Sequence, residues 1–362
     1  MAIKVKIVGA GSIGNHHAQA SRARGWDVTV IDMDPKALER MKTDIYPKRY
    51  GAWDEAIKLF EAGKEPQGGY DVIYLGTPPH VRMKVAVDAL KEDPKVLQME
   101  KPAAPPTLEG LKEFVAELKK HPNTAVIVGF NHIVAHNTAT VHRLIKENQL
   151  GKLLSIEAGV RSHWENIFKA HPWLKGPQDT YLGYWKKGGG AGGEHSHALN
   201  LWQHFAHELG AGRVSEVQGM FDYITENGAE YDRQCLLNLK TENGLYGRVI
   251  QDVLTQPKKK WVELQFEKGS IEWWNDVTKT TDEVIVNVRG KDPQKVIIEK
   301  TRIEEFGKEA EHIEDLVSGK IKISDSPIRF ERGMETSIVL GAGHESHASG
   351  KTVRVDYSVL LK

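Results

Sequence analysis

Lys101 is a candidate proton-handling residue because of its position in the chain. It lies in Glu100-Lys101-Pro102, directly after a short apolar stretch, and Pro102 would fix the chain direction and so aim the side chain. Ligands of parallel sheets bind beyond the ends of such strands. A lysine there can polarise a hydroxyl or exchange a proton, and a neighbouring positive charge would lower its pKa. Taken alone, the lysine could equally well only pair with Glu100.

A histidine-rich segment at 192–210, GGEHSHALNLWQHFAHELG, carries further acid–base groups. Glu194 and His197 are three residues apart and would share one helix face. His204 and His207 repeat that spacing two turns further on, and no other cluster supplies a third zinc ligand at a recognisable spacing, so no metal is expected. The other positions are interpreted as surface or interdomain histidines (His195, His204, His207) and as core residues (Leu199, Leu201, Trp202, Phe205).

A glycine motif, Gly9-Ala10-Gly11-Ser12-Ile13-Gly14, follows an apolar stretch and opens a helical pattern. In a dinucleotide-binding turn, the first glycine allows the tight turn and the second lets the backbone approach a pyrophosphate. The third lets helix and strand pack closely. The helix N-terminus would add unpaired N–H groups and a partial positive charge. The motif therefore predicts a dinucleotide site, although a glycine turn without a ligand has the same local pattern.

Asp32 stands at the end of the second apolar stretch, 18 residues beyond Gly14. A carboxylate at about this distance accepts hydrogen bonds from ribose hydroxyls. Its charge would repel a 2′-phosphate, and Asp34 adds to that repulsion. NAD is therefore the expected cofactor and NADP the less favoured one, although Lys36 and Arg40 are close in sequence.

A third turn, Gly76-Thr77-Pro78-Pro79-His80, leaves the fourth expected strand. The carboxyl ends of parallel strands meet at one edge of a sheet, so this turn would lie beside Gly9, Asp32 and Lys101. The residues that we expect to contact the cofactor are Gly9, Gly11, Ser12, Ile13, Gly14, Asp32, Thr77, Pro78, His80, Glu100 and Lys101.

The first part of the chain alternates strand-like and helical patterns, which predicts an α/β Rossmann domain with a parallel sheet, at residues 1–125. The expected strands are 5–8, 28–31, 72–75, 96–97 and 126–128. The expected helices lie near 12–24, 35–42, 53–62, 81–91 and 107–119, the last capped by Thr107.

Consecutive strands dominate after about residue 150 and predict an α+β domain with a large, mostly antiparallel sheet, at residues 126–362. The boundary itself is placed between 125 and 150. The expected strands are 153–163, 214–223, 234–240, 244–253, 261–266, 270–274, 283–288 and 295–299. The expected helices lie near 194–208, 302–318 and 328–341, and the last of them could return to the first domain.

Together, Gly9-x-Gly11-x-x-Gly14, Thr77-Pro78-Pro79, Glu100-Lys101-Pro102 and the large second sheet resemble the Gfo/Idh/MocA oxidoreductase family. The resemblance runs nearly end to end, and the segment 345–355, ESHASGKTVRV, resembles that family's final helix and strand. Glu-Lys-Pro is the most specific of these marks. Members are NAD(P)-dependent enzymes that act mostly on sugars, inositols and related polyols.

The resemblance implies catalytic roles for three residues. Lys101 matches the family's catalytic lysine, whose bond to proline is often cis. His197 matches its acid/base histidine. The family's usual aspartate, four residues before that histidine, is Gly193 here, so the sequence departs from the pattern. It matches the alternative Gly-Glu-x-x-His, in which Glu194 would orient His197 or bind substrate.

The expected reaction moves a hydride between nicotinamide and a secondary alcohol of a sugar, sugar derivative or polyol. Lys101 would hold the hydroxyl oxygen and His197 would take its proton. Two alternatives stay open. One is a non-catalytic protein that senses NAD or a sugar on the same fold. The other is an enzyme that uses tightly bound NAD transiently.

Polar and aromatic residues around the expected cleft are the candidate substrate contacts. Flat aromatic faces suit the C–H faces of a sugar ring, and polar neighbours can read its hydroxyls. The aromatic residues of the loop 171–190 could equally well be core or subunit contacts, and the loop could cover the site. The selected residues are Asn131, Arg161, His163, Tyr181, Trp185 and Lys186.

Composition restricts the partners. The 49 basic and 49 acidic residues balance, which argues against nucleic acid and membrane surfaces as partners. The run Lys258-Lys259-Lys260 is interpreted as a solvated turn, and the single cysteine, Cys235, gives neither an internal disulfide nor a CxxC metal motif. No signal or bilayer-spanning stretch is visible, so a cytoplasmic protein is expected. By the resemblance it would form a homodimer or homotetramer.

Overall fold

The first sheet of the molecule is parallel and has six strands. The structure, a computed structural model, describes residues 2–169 and 171–361. The strands of the first sheet are β1 Lys4–Val8, β2 Asp27–Asp32, β3 Lys58–Glu61, β4 Val72–Leu75, β5 Val96–Glu100 and β6 Ala125–Gly129. Their order is β3-β2-β1-β4-β5-β6, and every pair is parallel. All residues of β4 and β5 are buried, because helices cover both faces.

Helices connect these strands as the alternating pattern predicts. They are α1 Ser12–Ala23, α2 Pro35–Arg40, α3 Tyr46–Tyr50, α4 Pro79–Leu90 and α5 Leu111–Leu118, and a π-helical turn at Met41–Ile45 joins α2 to α3. The Rossmann architecture expected from the sequence is therefore confirmed.

Two expectations about this domain are wrong in detail. No helix forms over 53–62: a turn is followed by the edge strand β3, whose half-buried side chains give no clear strand alternation. The helix expected over 107–119 begins only at Leu111, and Thr107 does not cap it. Leu108 and Gly110 have φ values of 56° and 76°, which a helix cannot accommodate.

In the described part of the chain the second sheet has nine strands, and seven α-helices accompany it. The strands are β7 Leu153–Arg161, β8 Val214–Glu226, β9 Ala229–Thr241, β10 Tyr246–Asp252, β11 Lys259–Phe266, β12 Gly269–Trp274, β13 Thr281–Val288, β14 Gln294–Glu299 and β15 Val353–Arg354. The helices are α6 His136–Asn148, α7 Trp164–Lys169, α8 Gly190–Glu194, α9 His197–Glu208, α10 Arg302–Val317, α11 Phe330–Ser349 and α12 Ser358–Leu361.

The strand order of the second sheet is β14-β13-β12-β11-β7-β10-β9-β8-β15. Only β7 and β10 pair in parallel, so the prediction of a mostly antiparallel sheet is confirmed. Helix α9 packs on its inner face: Leu199, Trp202 and Phe205 are fully buried, and the Trp202 indole donates to the Ile156 carbonyl at 2.8 Å. The helix expected over 194–208 is observed as α9, which begins at His197, while Glu194 ends the separate short helix α8.

Two late helices return to the first domain. On α10, Phe306 stacks against His16 of α1 with ring centroids 4.3 Å apart. Just before α11, the Ile328 carbonyl accepts from the Val128 amide of β6 at 2.8 Å, and within α11 the Ser337 hydroxyl donates to the Ala104 carbonyl at 3.1 Å. These contacts attach the second domain to the first along α1, β6 and the turn after β5. None of the described helices combines the length and apolar character that crossing a bilayer requires.

Candidate active site

The glycine motif forms a tight turn between β1 and α1. Gly9 has a φ of 112°, and a Cβ on Gly14 would lie 1.9 Å from the Gly9 carbonyl oxygen, so both positions need glycine. A Cβ on Gly11 would meet no described atom within 4 Å, which leaves open space beside the backbone. The Asp32 carboxylate closes the turn by accepting from the Ala10 amide at 2.8 Å. This geometry fits a dinucleotide pyrophosphate beside Gly11 and a ribose beside Asp32.

Arg49 adds a cation to this turn that sequence reasoning missed. Its guanidinium donates to the Ser12 carbonyl at 3.1 Å and lies 3.4 Å from the His16 ring. Burial lowers the pKa of His16 to about 2, and the charges of Arg302 and Arg49 act in the same direction. His16 is therefore neutral, and the positive charge beside Ser12 is carried by the arginines. No sequence spacing reveals this, because Arg49 arrives from the far end of α3.

The turn after β4 carries two buried polar atoms that lack a partner among the described residues. They are the Thr77 hydroxyl oxygen and the His80 Nδ1 nitrogen. Buried polar atoms are almost always hydrogen-bonded in native proteins. Both lie at the edge of the sheet where Gly9 and Lys101 lie. They therefore fit a bound cofactor as their missing partner.

Arg82, which the sequence analysis does not identify, connects the turn after β4 with the turn after β5, where Lys101 lies. It is fully buried in α4, and its guanidinium donates to the carbonyls of Thr77, Glu100 and Pro102. Burial lowers its pKa to about 10, so it stays charged. The ends of β4 and β5 are held in one relative position as a result. The Lys101–Pro102 bond is cis, as the resemblance implies.

Lys101 reaches across the cleft to Glu194, at the C-terminus of α8. Its Nζ donates to the Glu194 backbone carbonyl at 2.7 Å and to the Glu194 carboxylate at 3.2 Å. Burial would raise the pKa of Glu194, but the charges of Lys101 and His195 hold it below its ordinary value. The carboxylate is therefore ionised. The structure thus brings together two of the three predicted catalytic residues in a direct contact.

Glu100 faces away from the cleft. Its carboxylate lies 2.7 Å from the His17 Nε2 of α1, and Gln98 donates to the neighbouring Glu309 at 2.9 Å. Burial would raise the pKa of Glu100, but the hydrogen bond with His17 and the charge of His17 keep it below its ordinary value. Burial and the charge of Glu100 raise the pKa of Glu309 well above its own. Glu100 is thus an internal anchor for the strand that ends at Lys101.

His197, the third predicted catalytic residue, lies at the start of α9 and faces a second histidine. The rings of His197 and His132 are 4.4 Å apart, and Phe130 packs edge-on against His197 at 5.6 Å. Burial holds the pKa of His197 well below its ordinary value, and the charges of His132 and Lys101 lower it further. The imidazole is therefore neutral and can accept a proton.

Lys260 enters the same cleft, which corrects the interpretation of Lys258-Lys259-Lys260 as a solvated turn. Lys259 begins β11. Lys260, the next residue, is paired with the buried Val160, so the side chains of Lys260 and Val160 point to the buried face of the sheet. Its Nζ lies 3.2 Å from the Asp276 carboxylate. Burial lowers the pKa of Lys260, although Asp276 opposes the shift. Sequence reasoning missed it because strand register cannot be read from a short basic run.

Tyr181 and His195 complete the polar lining near Glu194. Burial, and then the charge of Glu194, raise the pKa of Tyr181. His195 is buried, with its Nε2 3.4 Å from the Ser162 carbonyl, and burial lowers its pKa to about 4. Both residues are therefore neutral hydrogen-bonding groups. Asn131 is buried directly before His132.

Asp232 and Gln251 hold the glycine-rich helix α8 from behind. The Asp232 carboxyl accepts from the Gly192 amide at 2.7 Å, and the Gln251 amide donates to the carbonyls of Ala191 and Gly192 at 3.0 and 2.8 Å. A Cβ on Gly190, where φ is 73°, would lie 1.8 Å from Asp232. The glycines of α8 are thus needed for close contact with the sheet, and that contact sets the position of Glu194.

Four predicted substrate contacts are not brought into this cleft. Arg161 is opposite Lys259 on the outer face of the sheet and pairs with Asp252. His163 lies beyond β7, where its Nδ1 accepts from the Glu165 amide at 3.2 Å. Trp185 stacks on His344 of α11 at 4.5 Å, and Lys186 is exposed beside it. A loop has no strand register or helical period. The sequence therefore does not predict that Tyr181 faces the cleft whereas Trp185 faces away from it.

The segment 171–181, which we call the strap, lies beside Glu194 and also contacts α2. It begins and ends near Glu194, whose pKa responds to His171 and whose charge acts on Tyr181. Between these ends Trp173 lies over the Arg40 guanidinium of α2 at 5.1 Å. The strap therefore spans from the Lys101 side to the helix that follows Asp32.

Comparison with known families agrees with this architecture. Residues 3–130 match the oxidoreductase family with an NAD-binding Rossmann fold, GFO/IDH/MocA, and residues 138–272 match the GFO/IDH/MocA C-terminal domain. The chain belongs to the GFO/IDH/MocA family of oxidoreductases, and its first domain is an NAD-binding domain. The resemblance noted in the sequence is confirmed. No curated protein sequence matches the chain closely enough to count as a relative.

Solved structures share the fold over the whole chain. A levoglucosan dehydrogenase in complex with NADH has a TM-score of 0.76 at 17% identity, covering 98% of this chain and 100% of that one. GenD2 from gentamicin A biosynthesis, in complex with NAD, has 0.74 at 17%, covering 98% and 97%. The WlbA dehydrogenase from Bordetella pertussis, in complex with NADH and UDP-GlcNAcA, has 0.72 at 16%, covering 98% and 99%. At these identities the likeness concerns the fold.

Proposed function

We propose that the protein is an NAD-dependent dehydrogenase of a secondary alcohol in a sugar, sugar derivative or polyol. The observation that carries the proposal is the contact of Lys101 with Glu194 beside the neutral His197, at the glycine-lined edge of the NAD-binding sheet. Two structurally similar proteins are a levoglucosan dehydrogenase in complex with NADH and levoglucosan and a WlbA dehydrogenase in complex with NADH and UDP-GlcNAcA. A carbohydrate-type substrate for this chain is inferred in part from those neighbours.

Lys101 holds the substrate oxygen in this proposal. An ammonium group has three N–H donors, and two of them meet Glu194. The third is left for a hydroxyl oxygen, where it stabilises the negative charge that develops as the proton leaves. The Arg82 clamp and the buried Glu100 keep the end of β5 fixed, so the amine needs little reorganisation.

His197 takes the hydroxyl proton. The ring is neutral at pH 7, so it has a free nitrogen that can accept the proton. The nearby charge of Lys101 disfavours a lasting positive charge on the ring. In the reverse direction the same ring donates. Glu194 balances the charge of Lys101 and orients it, a positioning role rather than a proton transfer. Tyr181 and Asn131 are the remaining predicted substrate contacts that the cleft geometry favours.

NAD, when bound, supplies the hydride acceptor, and the chain favours it over NADP. Asp32 faces the glycine turn, and its carboxylate also accepts from the Asp34 amide at 2.9 Å. Asp34 caps α2 by accepting from the Lys36 amide at 3.0 Å, so two carboxylates stand at the ribose end. A 2′-phosphate there would meet like charge.

A screen of sugars, inositols and nucleotide-sugars, followed by NADH absorbance, tests the proposal. We expect turnover with at least one of them, and a loss of about 100-fold or more in kcat for Lys101→Ala with NAD affinity within about twofold. Lys95→Ala is the matched control, since Lys95 precedes the same strand at its opposite end and forms a surface pair with Asp71. Equal rates in Lys101→Ala and the parent would overturn the role of Lys101.

Two results would overturn the dehydrogenase assignment itself. Binding of NAD and of a sugar without turnover would indicate a sensor protein. NAD that stays bound through gel filtration and shows no net reduction, while the sugar is converted, would indicate transient use of the cofactor.

A further inference from the structure

A recess of about 290 Å³ lies outside the cleft, at the junction of α6, α9 and the segment 325–327. His142 of α6 and His204 of α9 both line it, and Glu208 and Asp325 stand at its exposed rim. None of these residues takes part in the chemistry described above. His204 lies seven residues after His197, which is about 10 Å along the helix.

The two imidazoles point their Nε2 atoms at each other. These nitrogens are 2.9 Å apart, and the rings are inclined by 79°. Burial, and then the neighbouring histidine, lower the pKa of His204 to about 3, and burial lowers the pKa of His142. Both rings are therefore neutral at pH 7, which is the state in which imidazole binds metals.

Glu208 brings a negative charge to the same place. It follows His204 by four residues on α9, so the two side chains share one face of the helix. The Glu208 side chain and the His142 ring line the same recess. The charges of Lys146 and Arg332 lower the pKa of His142 and of His204 respectively. His207 is not available, because it pairs with Glu335 at 2.6 Å.

We propose that this recess binds a divalent transition-metal ion, Zn²⁺ best of all, through His142 Nε2, His204 Nε2 and the Glu208 carboxylate. Tetrahedral Zn²⁺ with nitrogen ligands at about 2.0–2.1 Å separates two such nitrogens by roughly 3.3 Å, so the rings need to move apart by a few tenths of an ångström and to tilt until both nitrogens point at the ion. The Glu208 carboxylate does not lie close to both nitrogens in this structure; it is exposed and would turn inward on binding, and water would complete the coordination. Imidazole and carboxylate together suit zinc better than magnesium or calcium, which prefer oxygen alone.

Sequence spacing does not reveal this site, because the first ligand lies 62 residues before the second. His204 and Glu208 alone offer two ligands on one helix, which is too few. The ion would fasten α6, which follows His132, to α9, which begins with His197. Its presence does not depend on the proposed dehydrogenase activity, so the two proposals can fail separately.

Titration of the chelator-treated full-length protein with Zn²⁺, in competition with a chromogenic chelator, tests the site. We expect one equivalent bound with micromolar affinity or better, weakened by more than about tenfold in His142→Gln and in His204→Gln. Glutamine keeps a hydrogen-bonding group in the recess. The matched control is His136→Gln, an exposed histidine on the same helix α6, which should bind as the parent does.

Co²⁺ substitution gives a second readout, since its visible absorption reports tetrahedral coordination and should vanish in both histidine variants. Should either variant fail to fold, the exposed Glu208→Gln serves instead, with an expected loss of about tenfold in affinity. Absence of stoichiometric Zn²⁺ binding, or undiminished binding in His142→Gln and His204→Gln, would overturn the proposal.

Discussion

Asp232 is a buried carboxyl group that touches the active-site scaffold and not the substrate. One oxygen accepts from the Gly192 amide, and the other has no hydrogen-bond partner among the described residues. Burial raises its pKa from 3.8 to about 8, although the Gly192 hydrogen bond opposes the shift. At neutral pH the folded protein therefore holds a proton on Asp232 that the unfolded chain releases.

This protonation makes stability depend on pH with a definite sign. Between pH 4 and pH 8 the native state binds the extra proton, so Asp232 costs stability as the pH rises, by up to about 1.4 kcal/mol per pH unit. Asp232→Asn removes the titration and keeps an acceptor for Gly192. We expect the free energy of unfolding of the variant, measured by urea denaturation and taken relative to that of the parent, to be larger at pH 7 than at pH 5. Parallel pH profiles for the two proteins would contradict the raised pKa.

Sequence reasoning found the catalytic candidates that depend on local spacing. Lys101 was identified from Glu-Lys-Pro, and Glu194 with His197 from their separation on a helix. Lys260 and Arg82 could not be found in the same way. Lys260 enters the cleft only because β11 pairs with β7 in one register, and Arg82 acts through three carbonyls that the ends of two different strands supply. Such contacts arise from tertiary packing, which no single segment encodes.

The strap is an irregular element whose sequence did not reveal its two different ends. Of the aromatic residues in and after the strap, Tyr181 and Trp185 are the predicted substrate contacts, with core or subunit contact as the alternative; Trp185 packs on α11, and Trp173 lies over Arg40. Regular elements were predicted better, since apolar periodicity marks them directly. The edge strand β3 was mistaken for a helix because only half of its surface is buried.

The strap predicts a difference between two tryptophan variants. Trp173→Ala removes the stack on Arg40, which should loosen the strap and speed NAD dissociation by about threefold to tenfold. Trp185→Ala is the control, because that indole contacts His344 and donates to Glu230 at 3.1 Å, away from the cofactor groove. Stopped-flow displacement of NADH measures both rates. An unchanged rate in Trp173→Ala, or an equal increase in both variants, would refute the covering role.

Across the whole molecule, a buried ion cluster joins the second sheet to the helix that packs on the first domain. Lys300 lies between β14 and α10, and its Nζ contacts the carboxylates of Asp276, Asp282 and Glu305 at 2.7, 2.8 and 2.5 Å. The Asp276 carboxylate also forms an ion pair with Lys260, whose side chain lies in the cleft. The cluster thus links the loops at one end of the sheet to α10, and through α10 to α1.

Lys300→Met should destabilise the protein strongly, because it keeps the side-chain volume and leaves the buried carboxylates of Asp282 and Glu305 and the partly buried Asp276 without their shared cation. We expect a loss of about 3–5 kcal/mol in the free energy of unfolding at pH 7. Lys308→Met, which removes a solvent-exposed pair with Glu311, should cost at most about 1 kcal/mol.

Burial would raise the pKa of Glu305, but Arg302, His132 and Lys300 lower it to about 2. Its contribution is therefore present above pH 4.5 and is lost as the pH falls towards 2, so the penalty of Lys300→Met should shrink in acid. Urea denaturation at pH 7 and pH 4 measures the free energy of unfolding of the parent, Lys300→Met and Lys308→Met. An equal loss in the two lysine variants would show that the cluster does not hold the domains together.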